Sequence, residues 1–464
     1  MARRTIAAAI AVAITVCVAV GARCVFTRMQ LFSAVLAGSV AWVALWIVAT
    51  LTLGRIYCST ACPMGALIDA VERIRKIFDR RGYHYRSPWI SGRYAVMVAV
   101  MLCVLLGFVS VAALIDPYSA FTRLIAVPAA AVRAGAIGLL SAAVAVVTLV
   151  AVVALSWRKG RFLCNTLCPV GSGLSILSRY SMMHADVNTD LCTGCLKCVK
   201  ACKASCINPA DMTVDPARCV VCFDCMDECP TGAITYRSGR HRVATPLMQP
   251  AAPAGVVQAA SEPMLMDRRK FLRLGVVAAA AGTAGAVRAW SSESKAWDPH
   301  PVWPLNAPLP PGVPSRQHYV HRCTGCGACE AACPTGVLRA SEGALGKTHM
   351  LQPSMRFGSA ACATDCNRCT QVCPSGAIVP LTLTEKRRFV IGKARVRLQN
   401  CLAYGRGKPC GRCARRCPNG AITMTRFADG HRGPVVDMDL CTGCGQCVQA
   451  CPSTPYKAIT IEGE

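Results

Sequence analysis

Cysteine dominates the chemistry available to this chain. Of 464 residues 32 are Cys, and 24 of these fall into six groups of four. Cys192, Cys195, Cys198 and Cys202 are separated by two, two and three residues, and Cys219, Cys222, Cys225 and Cys229 repeat that spacing. So do Cys323, Cys326, Cys329 and Cys333, and again Cys441, Cys444, Cys447 and Cys451. Two groups are variants: Cys362, Cys366, Cys369 and Cys373 open with a three-residue gap, and Cys401 is followed by eight residues before Cys410, Cys413 and Cys417. Thiolates at such spacing hold 4Fe-4S clusters, which exchange single electrons, so six clusters are expected. In the bacterial ferredoxin run three close thiolates hold one cluster and the fourth reaches across to the other. That rule assigns Cys192, Cys195, Cys198 and Cys229 to one set, and Cys219, Cys222, Cys225 and Cys202 to its partner. Lys203 stands where a proline usually follows the fourth cysteine. For the last four groups, neighbour exchange (first with second, third with fourth) and nested exchange (first with fourth, second with third) are both open. A structural zinc site does not arrange eight cysteines this way, and a secreted disulfide scaffold would be short and lack long apolar runs.

A second cysteine pattern is a repeat. Gly54-Arg-Ile-Tyr-Cys58-Ser-Thr-Ala-Cys62-Pro63-Met-Gly65 recurs as Gly160-Arg-Phe-Leu-Cys164-Asn-Thr-Leu-Cys168-Pro169-Val-Gly171, with seven identical positions. Internal identity of this kind marks a duplicated structural unit. Cys58, Cys62, Cys164 and Cys168 are redox candidates, as a joint metal centre or a thiol couple; the alternative is a pair of Cys-Pro helix-end turns with buried thiols. Cys17, Cys24, Cys103 and Cys206 have no partner at ligand spacing and read as packing residues.

The elements that must position these groups are membrane helices. Hydrophobic residues make up 53% of the chain and charged residues 16%, a composition typical of a membrane protein with soluble attachments. Apolar runs at Thr5–Gly21, Leu31–Leu53, Ala95–Ile115 and Ala134–Ser156 are each of spanning length. Arg55, Arg73, Arg75, Lys76, Arg80, Arg81, Arg86 and Arg93 lie between the second and third runs, and Arg158, Lys159 and Arg161 follow the fourth. The opposite loops hold only Arg23, Arg28, Arg123 and Arg133. By the positive-inside rule both ends of this four-helix unit, and with them both Cys-x-x-x-Cys-Pro motifs, are cytoplasmic.

Further along, Asp267-Arg268-Arg269-Lys270-Phe271-Leu272 precedes a small-residue apolar run to Ala289 and matches a twin-arginine export signal lying inside the chain. Everything after it is then expected on the far side of the membrane. The run is a fifth span, unless cleavage after Ala289 separates two subunits. The domain reading is: 1–180, a four-helix membrane domain; 181–242, a cytoplasmic two-cluster ferredoxin domain; 243–266, a linker; 267–290, the twin-arginine signal and anchor helix; 291–317, a Pro-rich tether; 318–464, a periplasmic four-cluster domain. The fold class is multi-domain, an α-helical membrane bundle with small α+β ferredoxin-like domains on both sides.

The formal net charge of +27 does not point to nucleic acid, because the basic residues flank apolar runs and cysteine groups and no groove-reading motif is present. Arg388, Lys393, Arg395, Arg397, Arg406, Lys408, Arg412, Arg415 and Arg416 gather around the third far-side group, as a docking surface for an acidic partner or a solvated face offsetting cluster charge. There is no Cys-x-x-Cys-His haem motif, no histidine in an apolar run, and no dinucleotide or phosphate-loop fingerprint, so haem, flavin and NAD sites are not expected.

With its paired Cys-x-x-x-Cys-Pro motifs and the 192–229 module, the first half resembles NapH, a ferredoxin-type quinol dehydrogenase subunit attached to periplasmic nitrate reductase. With the twin-arginine signal, Pro310-Pro311-Gly312 and four cluster groups, the second half resembles NapG and the methylamine-utilisation ferredoxin MauM. The resemblance implies a fused quinol dehydrogenase of the bacterial inner membrane, active in anaerobic respiration, taking electrons from membrane quinol and delivering them to a periplasmic reductase or cytochrome. Two rival readings are an assembly or redox-sensing factor for a periplasmic metalloenzyme, and the same electron wire run in reverse into the quinone pool.

Overall fold

Each repeat of the Cys-x-x-x-Cys-Pro motif folds as a short helix, a turn at the second cysteine and a longer helix opened by proline. In the computed structural model, which describes residues 2–22, 24–78, 82–86, 89–134, 139–239, 307–341 and 351–463, twelve helices precede the first strand. They are α1 (Ala2–Val20), α2 (Val25–Arg28), α3 (Leu31–Leu36), α4 (Val40–Leu53), α5 (Tyr57–Thr60), α6 (Pro63–Phe78), α7 (Ile90–Leu105), α8 (Val109–Ile115), α9 (Pro117–Ala134), α10 (Leu139–Lys159), α11 (Phe162–Thr166) and α12 (Pro169–Ser178). Pro63 and Pro169 occupy first helical positions, where the missing N–H costs nothing.

Among the described residues two helices are long and apolar enough to cross a membrane, Arg3–Val20 and Leu140–Lys159, and a bent pair, Val109–Ile115 with Pro117–Arg133, would make a third if it were one span. The other two expected spans are not continuous helices. The run Leu31–Leu53 breaks at Gly38 into α3 and α4, and Ala95–Ile115 breaks at Gly107 into α7 and α8. Both glycines adopt the left-handed conformation that ends a helix at little cost. α9 was not expected. It opens at Asp116, whose Oδ2 accepts the Ser119 amide at 2.7 Å as an N-cap, and it bends 86° from α8.

The cysteine modules are built on antiparallel pairs: β1 (Met183–Val187) with β2 (Ile234–Ser238), β3 (Leu338–Ala340) with β4 (Pro353–Met355), β5 (Gly392–Val396) with β8 (Ile459–Gly463), and β6 (Ile422–Arg426) with β7 (Arg432–Val436). This is the expected α+β pattern of short helices and two-stranded ribbons. Residues 307–463 divide into two cores, one around Tyr319, Leu338, Met355 and Ile378, the other around Ala394, Ile422, Ile459 and Ile461, with Phe357 packed against both.

The expected tether to residue 317 is shorter than its prolines imply. Ala307, Leu309 and Val313 are core residues, and Gly312 O accepts the Val379 amide at 2.8 Å, because burying these apolar side chains outweighs an extended, solvated chain. The linker 243–266, the twin-arginine segment 267–290 and the tether before residue 307 lie outside the described residues.

α1 relates the parts. At its start Arg4 pairs with Asp224 of the 181–239 module at 2.7 Å. Just past its end Gly21 abuts Ala332 of the C-terminal domain, about 26 Å further along the helix axis at about 1.5 Å per residue.

Candidate iron-sulfur centres

The turn geometry of the cysteine loops follows from what a cluster needs, amide hydrogens aimed at sulfur. In four of the six groups the residues two and four places after the first cysteine are left-handed: Gly194 and Leu196, Val221 and Phe223, Gly325 and Gly327, Gly443 and Gly445. Such turns rotate successive N–H groups inward and make an anion-binding nest. Amides two residues on donate to the sulfurs of Cys195, Cys219, Cys323, Cys326 and Cys444. At Val221 and Phe223 this conformation is imposed on a β-branched and a bulky residue, a strain sustained only where the surroundings over-determine it. Hydroxyls add to the cradle: Thr231 lies 3.7 Å from Cys229 Sγ, Thr335 3.5 Å from Cys333 Sγ and Ser375 3.7 Å from Cys373 Sγ.

The fourth cysteines lie beside the neighbouring groups, a placement that fits exchange between neighbours. Cys373 acts electrostatically on Cys323, Cys326 and Cys329, while Cys333 acts on Cys362 and Cys369. Cys451 acts on Cys413, and Cys417 on Cys444 and Cys447. This placement suits neighbour exchange and not nested exchange. In the 192–229 module Cys202 faces Cys222 and Cys225.

Cys206 is more than the packing residue its spacing suggests: its Sγ lies 3.4 Å from Cys202 Sγ and it also bonds Cys219. It is a fifth thiol beside that set, and its spacing gave no signal. Burial pushes Cys222 up to about 12, against the opposing pull of the Lys203 ammonium.

Cys58, Cys62, Cys164 and Cys168 converge from the two repeats. Burial pushes the Cys62, Cys164 and Cys168 thiols up, reinforced by one another and by Cys58. Gly65 N–H donates to Cys62 sulfur and Gly171 N–H to Cys168 Sγ at 3.2 Å, so the positive ends of α6 and α12 both face the quartet.

The two motif arginines are swapped across it. Arg55 Nη2 donates to Cys164 O at 2.9 Å and approaches Cys58 Sγ at 3.8 Å; Arg161 Nη1 donates to Cys58 O at 2.5 Å. A side chain at Gly65 or Gly171 would strike the same carbonyls, 2.3 Å from Cys58 O and 2.2 Å from Cys164 O. These contacts account for the repeated arginine, cysteine, proline and glycine positions.

Arg55 is wholly buried and its Nε is unpartnered. Among the described residues no carboxylate pairs with it. A buried cation needs a counter-charge, and four thiolates holding a cluster would supply one. The residues thus fit an anionic metal centre, which deprotonates thiols that burial alone keeps protonated. Among the described residues no group of three or more His, Cys, Asp or Glu side chains is placed to hold a metal ion.

Lys203 joins this site to the ferredoxin module. Its buried ammonium lies 2.9 Å from Asp69, 3.2 Å from Glu72 and 2.9 Å from Asp224, and Arg161 pairs with the same Asp69 at 2.7 Å. Burial alone would raise the Asp69 carboxyl, but Arg161 and Lys203 outweigh it and hold the group well below the usual carboxylate range. The missing proline after Cys202 is thereby explained, since proline carries no charge to meet three carboxylates.

Residues 322–377 and 408–454 match the family model of the 4Fe-4S dicluster domain. Residues 35–81 and 141–181, which contain both Cys-x-x-x-Cys-Pro motifs, match that of a 4Fe-4S binding domain. Over 158 residues the chain is 33% identical to the ferredoxin-type protein NapF of Escherichia coli strain K12, covering 34% of this chain and 85% of that protein. It is 33% identical over 149 residues to the methylamine utilization ferredoxin-type protein MauM of Methylobacillus flagellatus, covering 31% and 62%. To MauN of the same organism it is 28% identical over 191 residues, covering 40% and 62%. No solved structure matches the chain.

Proposed function

Because the chain belongs to the ferredoxin-type 4Fe-4S polyferredoxin family, we propose that it is a membrane electron carrier that draws electrons from quinol and delivers them to a redox protein beyond the membrane. Bound 4Fe-4S clusters supply one-electron exchange; the protein's part is to hold them in sequence and insulate them.

The observation that carries this reading is the position of the Cys58, Cys62, Cys164 and Cys168 quartet. It lies inside the helical bundle, with the ferredoxin module docked on one side through Arg55 and Ala217 O at 3.0 Å. From the other side α9 reaches the C-terminal domain, where Ala126 touches Gly327. Quartets thus follow one another from Cys192 to Cys451 with a thiol site at the membrane step, which we read as a seventh cluster. Cys229, the thiol left over in its module, completes the set of Cys192, Cys195 and Cys198.

We place the 181–239 module on the cytoplasmic side, where the basic loops lie, and residues 307–463 on the periplasmic side of a bacterial inner membrane. The broken helix pairs α3–α4 and α7–α8 then serve as the second and third crossings, and the fused arrangement parallels a NapH-like part followed by a NapG-like part. Exposed Arg395, Arg397, Arg406, Lys408, Arg412, Arg415 and Arg416 supply a basic face suited to an acidic periplasmic reductase or cytochrome.

The test is anaerobic purification from membranes, iron and sulfide analysis, and addition of a reduced quinol analogue while absorbance and spin-resonance signals are followed. Bleaching of most clusters, reversed by a periplasmic extract, supports the carrier. Full cluster loading without any response to quinol overturns it in favour of an assembly or sensing role.

A further inference from the structure

Between α1, α6 and α9 runs a groove of about 250 Å³, lined by Ala11 and Thr15 from α1, Ala66 and Leu67 from α6, and Phe121 from α9. Its width is a consequence of side-chain size. Alanines face one another where larger residues would close the helix pair, and Phe121 is the aromatic wall. α1 is a helix of membrane-spanning length, and its Val12 and Val16 are exposed beside the groove, so the opening faces lipid.

The groove has a polar end and a redox neighbour. Asp69, Arg73 and Arg4 close one end. The Asp69 carboxylate accepts from Arg161 and Lys203 on Oδ1, while among the described residues Oδ2 has only Arg3 at 3.7 Å, which leaves acceptor capacity for a ligand hydroxyl. Thr15 Oγ1 donates to Ala11 O at 2.8 Å and so presents its lone pairs as an acceptor. On the protein side, Ala66 N–H donates to Cys62 O at 3.2 Å, so the groove wall is the first turn after a quartet cysteine.

We propose that this groove binds the ring of a membrane quinol, with one hydroxyl donating to Asp69 and the isoprenoid tail leaving along Val12 and Val16 into lipid. The inference rests on the quinol-fed reading above and locates its substrate. The volume lies just below the usual range for drug-sized ligands, which suits a ring whose tail remains outside. Small apolar walls, a few convergent polar atoms and access from lipid distinguish this groove from the one between α7, α11 and the 181–239 module, where Arg86, Arg93, Lys159, Arg179 and Arg218 outnumber Asp215 and which suits an anion.

The experiment uses the full chain in lipid nanodiscs with a photoreactive azidoquinone, mapping labelled peptides with and without excess unlabelled quinone. A second arm compares cluster reduction by quinol with reduction by dithionite, in the wild type, in Ala11→Trp and in Leu67→Trp. Competed labelling on α1, α6 or α9, with at least about tenfold less labelling and slower quinol reduction in either tryptophan variant and dithionite reduction unchanged, is the expected result. Competed labelling confined to other helices overturns the site while leaving the quinol reading standing. If the wild type is neither labelled in a competed way nor reduced by quinol, the quinol reading falls and takes the site with it.

Discussion

Arg161 Nη2 lies 2.7 Å from Asp69 Oδ1, both groups are buried, and through this pair the second copy of the cysteine repeat is locked to the helix that follows the first. Removing one partner of a buried ion pair leaves the other uncompensated, which costs about 3–5 kcal/mol. Arg161→Met is therefore expected to lower the denaturant midpoint by that equivalent and to reduce iron bound at the bundle quartet. Arg388→Met, on the exposed surface, should change the midpoint by about 0.5 kcal/mol or less. Chemical denaturation with iron quantitation on both variants decides the matter.

The cysteine groups, the repeat and the ferredoxin modules were legible because ligand spacing is a local property of the chain. What was not legible depends on contacts far apart in sequence. Apolar runs interrupted by Gly38 and Gly107 read as continuous, since a hydropathy window passes over a single glycine. α9 was passed over because Arg123 and Arg133 interrupt its apolar pattern, although Asp116-Pro117 is a helix-start signal in plain view. Cys206 and the role of Lys203 required knowing what faces them across the fold. The choice between neighbour and nested exchange likewise waited on which strands pair.

Gly65 and Gly171 sit where a methyl group would meet a carbonyl oxygen of their own motif, Cys58 O and Cys164 O, each held by the arginine of the other motif. Since those carbonyls are held by Arg161 and Arg55, they have little room to give, and overpacking of this kind costs about 1–3 kcal/mol. Gly65→Ala and Gly171→Ala should each destabilise the bundle by that amount and leave the spectrum of the 307–463 clusters unchanged. Thermal melts paired with spin resonance would show it, and a variant as stable as the wild type would contradict the swapped geometry.

Neighbour exchange makes the cluster losses specific. Cys373→Ala should remove the centre built on Cys323, Cys326 and Cys329, and Cys333→Ala the one built on Cys362, Cys366 and Cys369. Neither should disturb the pair held by residues 401–451. Iron counts of the purified variants, with spin-resonance spectra assigned by difference, test this; loss of a 441–451 signal in Cys333→Ala would restore the nested alternative.

Asp69 carries a pH dependence whose sign is fixed. Its folded pKa is depressed by Arg161 and Lys203 in spite of burial, so its contribution to stability is fully present above the unfolded value of about 3.9 and is lost as pH falls through the folded value. The stability gap between wild type and Asp69→Asn should hold steady from about pH 7 to about pH 5 and narrow below about pH 4. A gap that narrows between pH 7 and pH 6 would mean that another group titrates there.

Lys203 is the position at which this chain departs from the ferredoxin pattern, and replacing it separates two accounts of that departure. If Lys203 were only a tolerated substitute for proline, Lys203→Met would be nearly neutral, since methionine keeps most of the apolar stem. The ammonium, however, is the shared partner of Asp69, Glu72 and Asp224, drawn from α6 and the ferredoxin module. Without it three buried carboxylates repel one another, with Arg161, Arg3, Arg4 and the half-exposed Lys76 as remaining cations paired to them. A loss of about 3–5 kcal/mol is expected, together with exposure to protease of the junction between the module and the bundle. Lys203→Arg, which keeps the charge, should recover most of that stability, whereas Lys203→Pro should not, although it restores the usual ferredoxin residue. Limited proteolysis and denaturant midpoints on the three variants distinguish an electrostatic clamp from a mere filler, because only the clamp predicts that arginine outperforms proline.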